Sequence, residues 1–161
     1  MFKVGKLTDY GTLLMTAMAV DADTLKSAQE LSARTHVAAP TVAKLLKQLC
    51  KSGLVESVRG AHGGYRLARP AAIISVADVM TAIEGPIALT QCESRNGHCG
   101  IQGHCGVRAN WRLIGVAIRQ ALEAVTLEQM AAPMRPGAFP LQSQHAAPKR
   151  TEHGNAGTGH S

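Results

Sequence analysis

Aromatic side chains are nearly absent from this chain, with one Trp, two Tyr and two Phe among 161 residues. A core must therefore be built from Leu, Val, Ile, Ala and Met, and such a core suits helices, because Ala, Leu and Met are strong helix formers. Long apolar runs are missing as well. The run Leu13–Val20 is short, contains Thr16 and follows Asp9 rather than a basic segment, so it does not read as a secretion signal. Nothing approaches the roughly 18 apolar residues of a membrane span. The expected location is the cytoplasm, with no membrane partner. Cysteine is scarce, at four residues, and in that compartment cysteines serve as thiols or metal ligands rather than as structural disulfides. The chain also lacks a phosphate loop, paired carboxylates and any nucleophile–base arrangement, so an enzyme is not expected. There is no internal repeat.

Acidic residues are outnumbered, 11 against 17 Lys and Arg, for a formal net charge of +6. A basic balance points to an anionic partner, most commonly nucleic acid. The length is enough for a hydrophobic core without covalent staples. Residues 8–21 read as a helix capped by Thr8, with Tyr10, Leu13, Leu14, Ala17 and Met18 at helical spacing. Ser27 to Thr35 reads as a second, short helix. Pro40 opens a third, where its missing N–H is harmless. Val42, Leu45, Leu46 and Leu49 form its apolar stripe, and Gly53 provides its left-handed end. Leu54–Val58 alternates like a strand, 59–64 is a glycine-rich turn, and Tyr65–Leu67 returns. Ser75 caps a helix over Val76–Glu84, closed by Gly85 and Pro86. A cysteine-bearing loop covers 90–106. A long helix over 108–126 carries Trp111, Ile114, Ile118, Leu122 and Val125, with Leu113, Val116 and Ala117 extending the apolar surface, so burial on more than one side is expected. From Ala131 onward Pro, Gly, Ser, Gln and His dominate, the composition of a disordered tail.

Three helices followed by a two-stranded hairpin is the order of a winged helix-turn-helix. The fold class expected is mostly α with a small β-hairpin wing, plus a long C-terminal helix. Three parts are expected: 1–70 for DNA binding, 71–130 for the cysteine loop and long helix, and 131–161 as tail. The third helix is the expected reader. Thr41 and Lys44 lie near its N-terminus, where short or basic side chains approach base edges, while Lys47 and Lys51 continue the outer face toward phosphates. The wing Arg59-Gly60-Ala61-His62-Gly63-Gly64 offers Arg59 to a minor groove, whose negative potential favours arginine, with His62 beside it. Residues 1–70 hold ten basic residues (Lys26, Arg34 and Arg66 among them) against five acidic ones, so most of the net charge lies where phosphates would be met.

Cys92, Cys99 and Cys105 give C-x6-C-x5-C in glycine-rich sequence. Thiolates are the usual ligands of iron–sulfur clusters, and glycines let three of them converge. Zinc is a rival, with His98 or His104 as a fourth ligand, although zinc sites usually contain tight C-x2–4-C knuckles. A thiol switch is a third reading. Cys50, on the reader helix, reads as a small buried hydrophobe.

The stretches KLTDYGTLLMTAMA and APTVAKLLKQLCKSGLVESVRGAHGGYRLAR, with the three-cysteine loop and the Trp-containing helix after it, resemble the IscR/NsrR family of iron–sulfur transcription regulators. The likeness covers about residues 1–130 and is strongest to regulators of the SUF assembly operon. It implies a homodimer joined through the long helix and bound to a palindromic operator. It also implies a [2Fe–2S] or [4Fe–4S] cluster on Cys92, Cys99 and Cys105. IscR-like members place a histidine three residues after the last cysteine, where this chain has Arg108, which cannot ligate. NsrR-like members use an aspartate at the start of the first helix, supplied by the other subunit, and Asp9 matches that place, with His98 and His104 as alternatives.

Overall fold

A computed structural model of the chain describes residues 3–90 and 104–133. Its elements run α1 (Lys6–Val20), α2 (Ala28–Thr35), α3 (Ala39–Lys51), β1 (Val55–Val58), β2 (Gly64–Leu67), α4 (Val76–Glu84), α5 (Arg108–Glu123) and α6 (Leu127–Ala131), with one 3-10 turn at Ala71–Ile73 before α4. The mostly helical winged arrangement expected from the sequence is the one observed. Two helices begin where their caps require. The hydroxyls of Ser27 and Ser75 accept from the N–H groups of Glu30 and Asp78, whose carboxylates accept in return from the N–H groups of Ser27 and Ser75.

The core gathers Leu14, Met15 and Met18 of α1, Leu31 of α2, the four apolar residues of α3, Leu54 and Val55, Ile74, Val79 of α4 and Leu127 of α6. Each side chain of this size, fully covered, contributes about 1.5–3 kcal/mol relative to exposure. β1 and β2 pair antiparallel with Glu56 opposite Arg66 and Val58 opposite Gly64. Lys26 adds a third short edge: its N–H donates to Tyr65 O at 3.0 Å, and Tyr65 N–H donates to Lys26 O at 2.9 Å.

The structure corrects several expectations. α1 starts at Lys6, with Gly5 in the cap position and no capping side chain, so Thr8 lies inside the helix and is fully buried. On α1 the inner face takes Met15 and leaves Leu13 exposed. The helix expected over 108–126 ends at Glu123, and a second, short helix not expected from the sequence, α6, follows it. Thr126 caps α6 in a box with Gln129. Backbone bonds Val76 N–H to Val125 O (2.9 Å) and Leu127 N–H to Ile74 O (2.9 Å) take the intervening residues into a strand-like bridge. That bridge turns the chain back so that Leu127 enters the core and α6 packs on α1. Among the described residues α5 is not covered on several sides. It rests on α4, and Gly115 is its buried residue.

Candidate functional site

The reader helix is fixed from below and open at its tip. The α2–α3 turn is tied by three bonds: Ser32 Oγ to Val37 O (2.7 Å), Thr35 Oγ1 to Leu31 O (2.6 Å) and Val37 N–H to Thr35 Oγ1 (3.4 Å). Between them His36 takes φ +55°, the left-handed region that costs a non-glycine residue energy. Unlike α2, α4 and α6, α3 has no side-chain cap, and its first turn holds no acidic residue. Its N-terminal dipole end is therefore not neutralised by an acidic or capping side chain of its own first turn. Lys44, Lys47 and Lys51 are exposed on the face opposite the buried stripe, with Thr41 half-buried at the side.

The wing is shaped by its glycines. Gly60 has φ +124°, and a Cβ on Gly63 would overlap Val58 O. This holds Arg59 and His62 on an exposed turn, where neither has a hydrogen-bond or ion-pair partner among the described residues.

Three residues counted toward phosphate binding are occupied internally. Lys26 is buried, and its ammonium donates to Met18 O, Asp21 O and Thr24 Oγ1, closing the C-terminal end of α1. Burial lowers its pKa, with Arg34 adding to the shift and Asp21 opposing it. Arg66 is paired across the hairpin with Glu56, and Arg34 with Asp21 at 3.1 Å. Arg34 and Arg66 stay exposed within their surface pairs, and Lys44, Lys47, Lys51 and Arg59 are exposed around the reader and wing without an ion-pair partner among the described residues.

On the other side of α1, Asp9 is exposed in the first turn with no partner among the described residues. Cys105 is a half-buried free thiol just before α5, and His104 is exposed beside it. Cys92, Cys99 and His98 lie outside the described residues, and among those described no three metal-ligating side chains cluster. A free thiol and a carboxylate are donor types that both iron and zinc accept. Cys50 is half-buried, and burial raises its thiol pKa, so it stays protonated.

Sequence reasoning passed over Glu84. Thr8 Oγ1 donates a hydrogen bond to its carboxylate, 76 residues away in the chain. A faint signal existed: an acidic residue in the last turn of a helix opposes the dipole and so points to a demand from elsewhere.

With this geometry in place, comparison with known proteins is decisive. The profile of the Rrf2 family, described as iron-dependent transcriptional regulators, matches residues 4–133. The chain belongs to the Rrf2 family. It is similar to the HTH-type transcriptional regulator IscR of Xenorhabdus nematophila, 33% identical over 132 residues, spanning 78% of each chain. It is also 30% identical to Protein aau3 of Rhizobium meliloti, over 80% of this chain and 84% of that one. Among solved structures it resembles CymR, the global cysteine regulator of B. subtilis, with TM-score 0.65, 27% identity and coverage of 81% and 97%. T. potens IscR gives TM-score 0.62, 28% identity and coverage of 80% and 85%. Staphylococcus aureus CymR in its oxidized form gives 0.61, 27%, and coverage of 83% and 99%. These Rrf2 relatives are transcription regulators, not enzymes, and no helix among the described residues is long and apolar enough to cross a membrane.

Proposed function

We propose that this Rrf2 regulator is a homodimeric, cytoplasmic repressor of iron–sulfur assembly genes that reports cluster status through an iron–sulfur cluster. Cys92, Cys99 and Cys105 would hold the cluster, with Asp9 of the other subunit as fourth ligand. The observation that carries the reading is the union, in one Rrf2 chain, of a reader and wing open to DNA with the C-x6-C-x5-C sequence between α4 and α5. When bound, a cluster supplies a core whose carboxylate-ligated corner is held less firmly than its thiolate corners. Asp9 sits on α1, which packs on α2, α3 and α4. Its engagement or release therefore bears on the reader.

On the DNA side, Thr41 and Lys44 approach base edges, Lys47 and Lys51 meet phosphates, and Arg59 and His62 serve the adjoining minor groove. The exposed apolar residues of α5 support a two-fold contact through that helix, with residues 1–70 as the DNA-binding part. Two half-sites must lie about one DNA turn apart, so a small change in the separation of the readers alters affinity strongly.

Protein isolated without air from iron-replete cells should be brown, carry iron and labile sulfide, and retard a palindromic promoter fragment. Colourless protein that cannot be reconstituted would overturn the cluster. Operator affinity that then followed thiol oxidation would establish a thiol switch, a reading the oxidized CymR neighbour supports; affinity that followed zinc would establish a zinc-stabilised regulator.

A further inference from the structure

α1 carries two glycines that its conformation does not demand. Gly5, the cap residue, has φ −64°, and Gly11 lies mid-helix, where glycine is disfavoured relative to alanine. What both supply is space. A Cβ on Gly11 would overlap the δ-methyl of Ile83, and a Cβ on Gly5 would overlap Glu84 Oε1. Consecutive residues at the end of α4 are thus seated in two notches of α1. The second contact is held by the bond from Thr8, a buried residue, to Glu84, which is itself exposed.

Glu84 is badly placed for its own helix, because a carboxylate in the last turn of α4 opposes the dipole. It is well placed for the N-terminus of α1, where a negative charge is favoured. Immediately after it, Gly85 turns with φ +90°, and the chain departs toward the cysteines. Asp9 is the residue next to Thr8. One joint therefore connects the start of the cysteine segment to the turn of α1 that bears Asp9.

We propose that Glu84 is a positioning residue: through Thr8 and the Gly5 notch it fixes the first turns of α1 to the end of α4, so that events in the cysteine segment reach operator binding through α1. This deepens the cluster-sensing reading and rests on it for its regulatory half. The joint itself is tested separately.

Full-length protein and the variants Glu84→Ala, Thr8→Val, Thr8→Ser and Gly5→Ala are compared by amide hydrogen exchange and by operator affinity, each in iron-loaded and chelator-stripped form. Glu84→Ala and Thr8→Val, which remove the acceptor and the donor, should speed exchange at residues 8–12 at least tenfold while leaving α2 unchanged, and Thr8→Ser should behave as wild type. Gly5→Ala removes neither hydrogen-bonding group but displaces the carboxylate, so it should match Glu84→Ala. In the same variants the ratio of loaded to stripped operator affinity should fall at least tenfold, with the absorption spectrum of the loaded form unchanged. Unaltered exchange in α1 overturns the joint. Altered exchange with a preserved ratio, both forms weakening equally, overturns the transmission and leaves a merely structural contact. Wild-type protein that takes up no iron refutes the cluster reading and the transmission with it, while the exchange data still decide the joint.

Discussion

Helices α3 and α5 are both amphipathic, with Val42, Leu45, Leu46 and Leu49 lining one and Trp111, Ile114, Ile118 and Leu122 the other. In α3 all four are fully covered by the chain itself. In α5 Trp111 and Ile114 remain 43% and 44% exposed, and Leu113 and Val116, beside the stripe, 71% and 47%. The same periodicity is satisfied internally in one helix and left open in the other. Among the described residues, the apolar pattern of α5 has no surface to cover it. The basic residues divide likewise: Lys26 is consumed inside the fold, whereas Lys47 is held outside it.

The contrast is broken or sharpened by experiment. The largest effect belongs to α3: Leu45→Ala should destabilise the fold by about 2–5 kcal/mol in denaturant unfolding, because it empties a fully enclosed site. A loss under 1 kcal/mol would mean that the stripe is not the core. Next, Leu113→Asp on α5 should leave secondary structure intact and weaken self-association at least a hundredfold by sedimentation, about 2.7 kcal/mol. A variant as dimeric as wild type would place the dimer contact elsewhere.

For the outward charges, Arg59→Ala should cost about 1–3 kcal/mol at the operator and less on random DNA. Lys47→Ala should weaken both alike and lower the salt slope by about one. Equal loss on both DNAs would demote Arg59 to a phosphate contact. The internal lysine behaves differently. Lys26→Met should lower stability by about 1–2 kcal/mol by leaving Met18 O and Asp21 O without their donor, and leave the salt slope of DNA binding unchanged.

Its titration has a definite sign. The folded pKa lies below the ordinary 10.5, so the unfolded chain holds the proton more tightly. The unfolding free energy should thus rise with pH more steeply in wild type than in Lys26→Met across the window from the lowered folded value up to 10.5. A curve parallel to the variant's would show that the ammonium is not desolvated. The smallest effect is at the reader's turn: His36→Gly should stabilise by about 0.5 kcal/mol, since relief of the left-handed conformation slightly exceeds the added entropy of the unfolded chain.

Much of this was legible locally. The serines at 27 and 75, each with a carboxylate three residues on, announced their helices, and the glycine-rich run at 59–64 announced the hairpin. α6 was missed although Thr126 and Gln129 spell the same box, because it is squeezed between the apolar periodicity of α5, which extends to Val125, and a tail-like composition from Ala131. What separates α5 from α6 is a backbone bridge to Ile74 and Val76, about fifty residues earlier. Cys105 was singled out by the C-x6-C-x5-C spacing and Asp9 by family likeness alone, and Glu84 was not identified at all.

Caps, periodicity and turn glycines act within four or five residues, so the order of helices and hairpin was written in the linear chain. Which lysine is buried and which stays exposed, which helix keeps its apolar stripe uncovered among the described residues, and that Thr8 meets Glu84 were settled only on folding. Burial and pairing depend on groups that the chain brings together from dozens of residues apart, and no local pattern encodes that meeting.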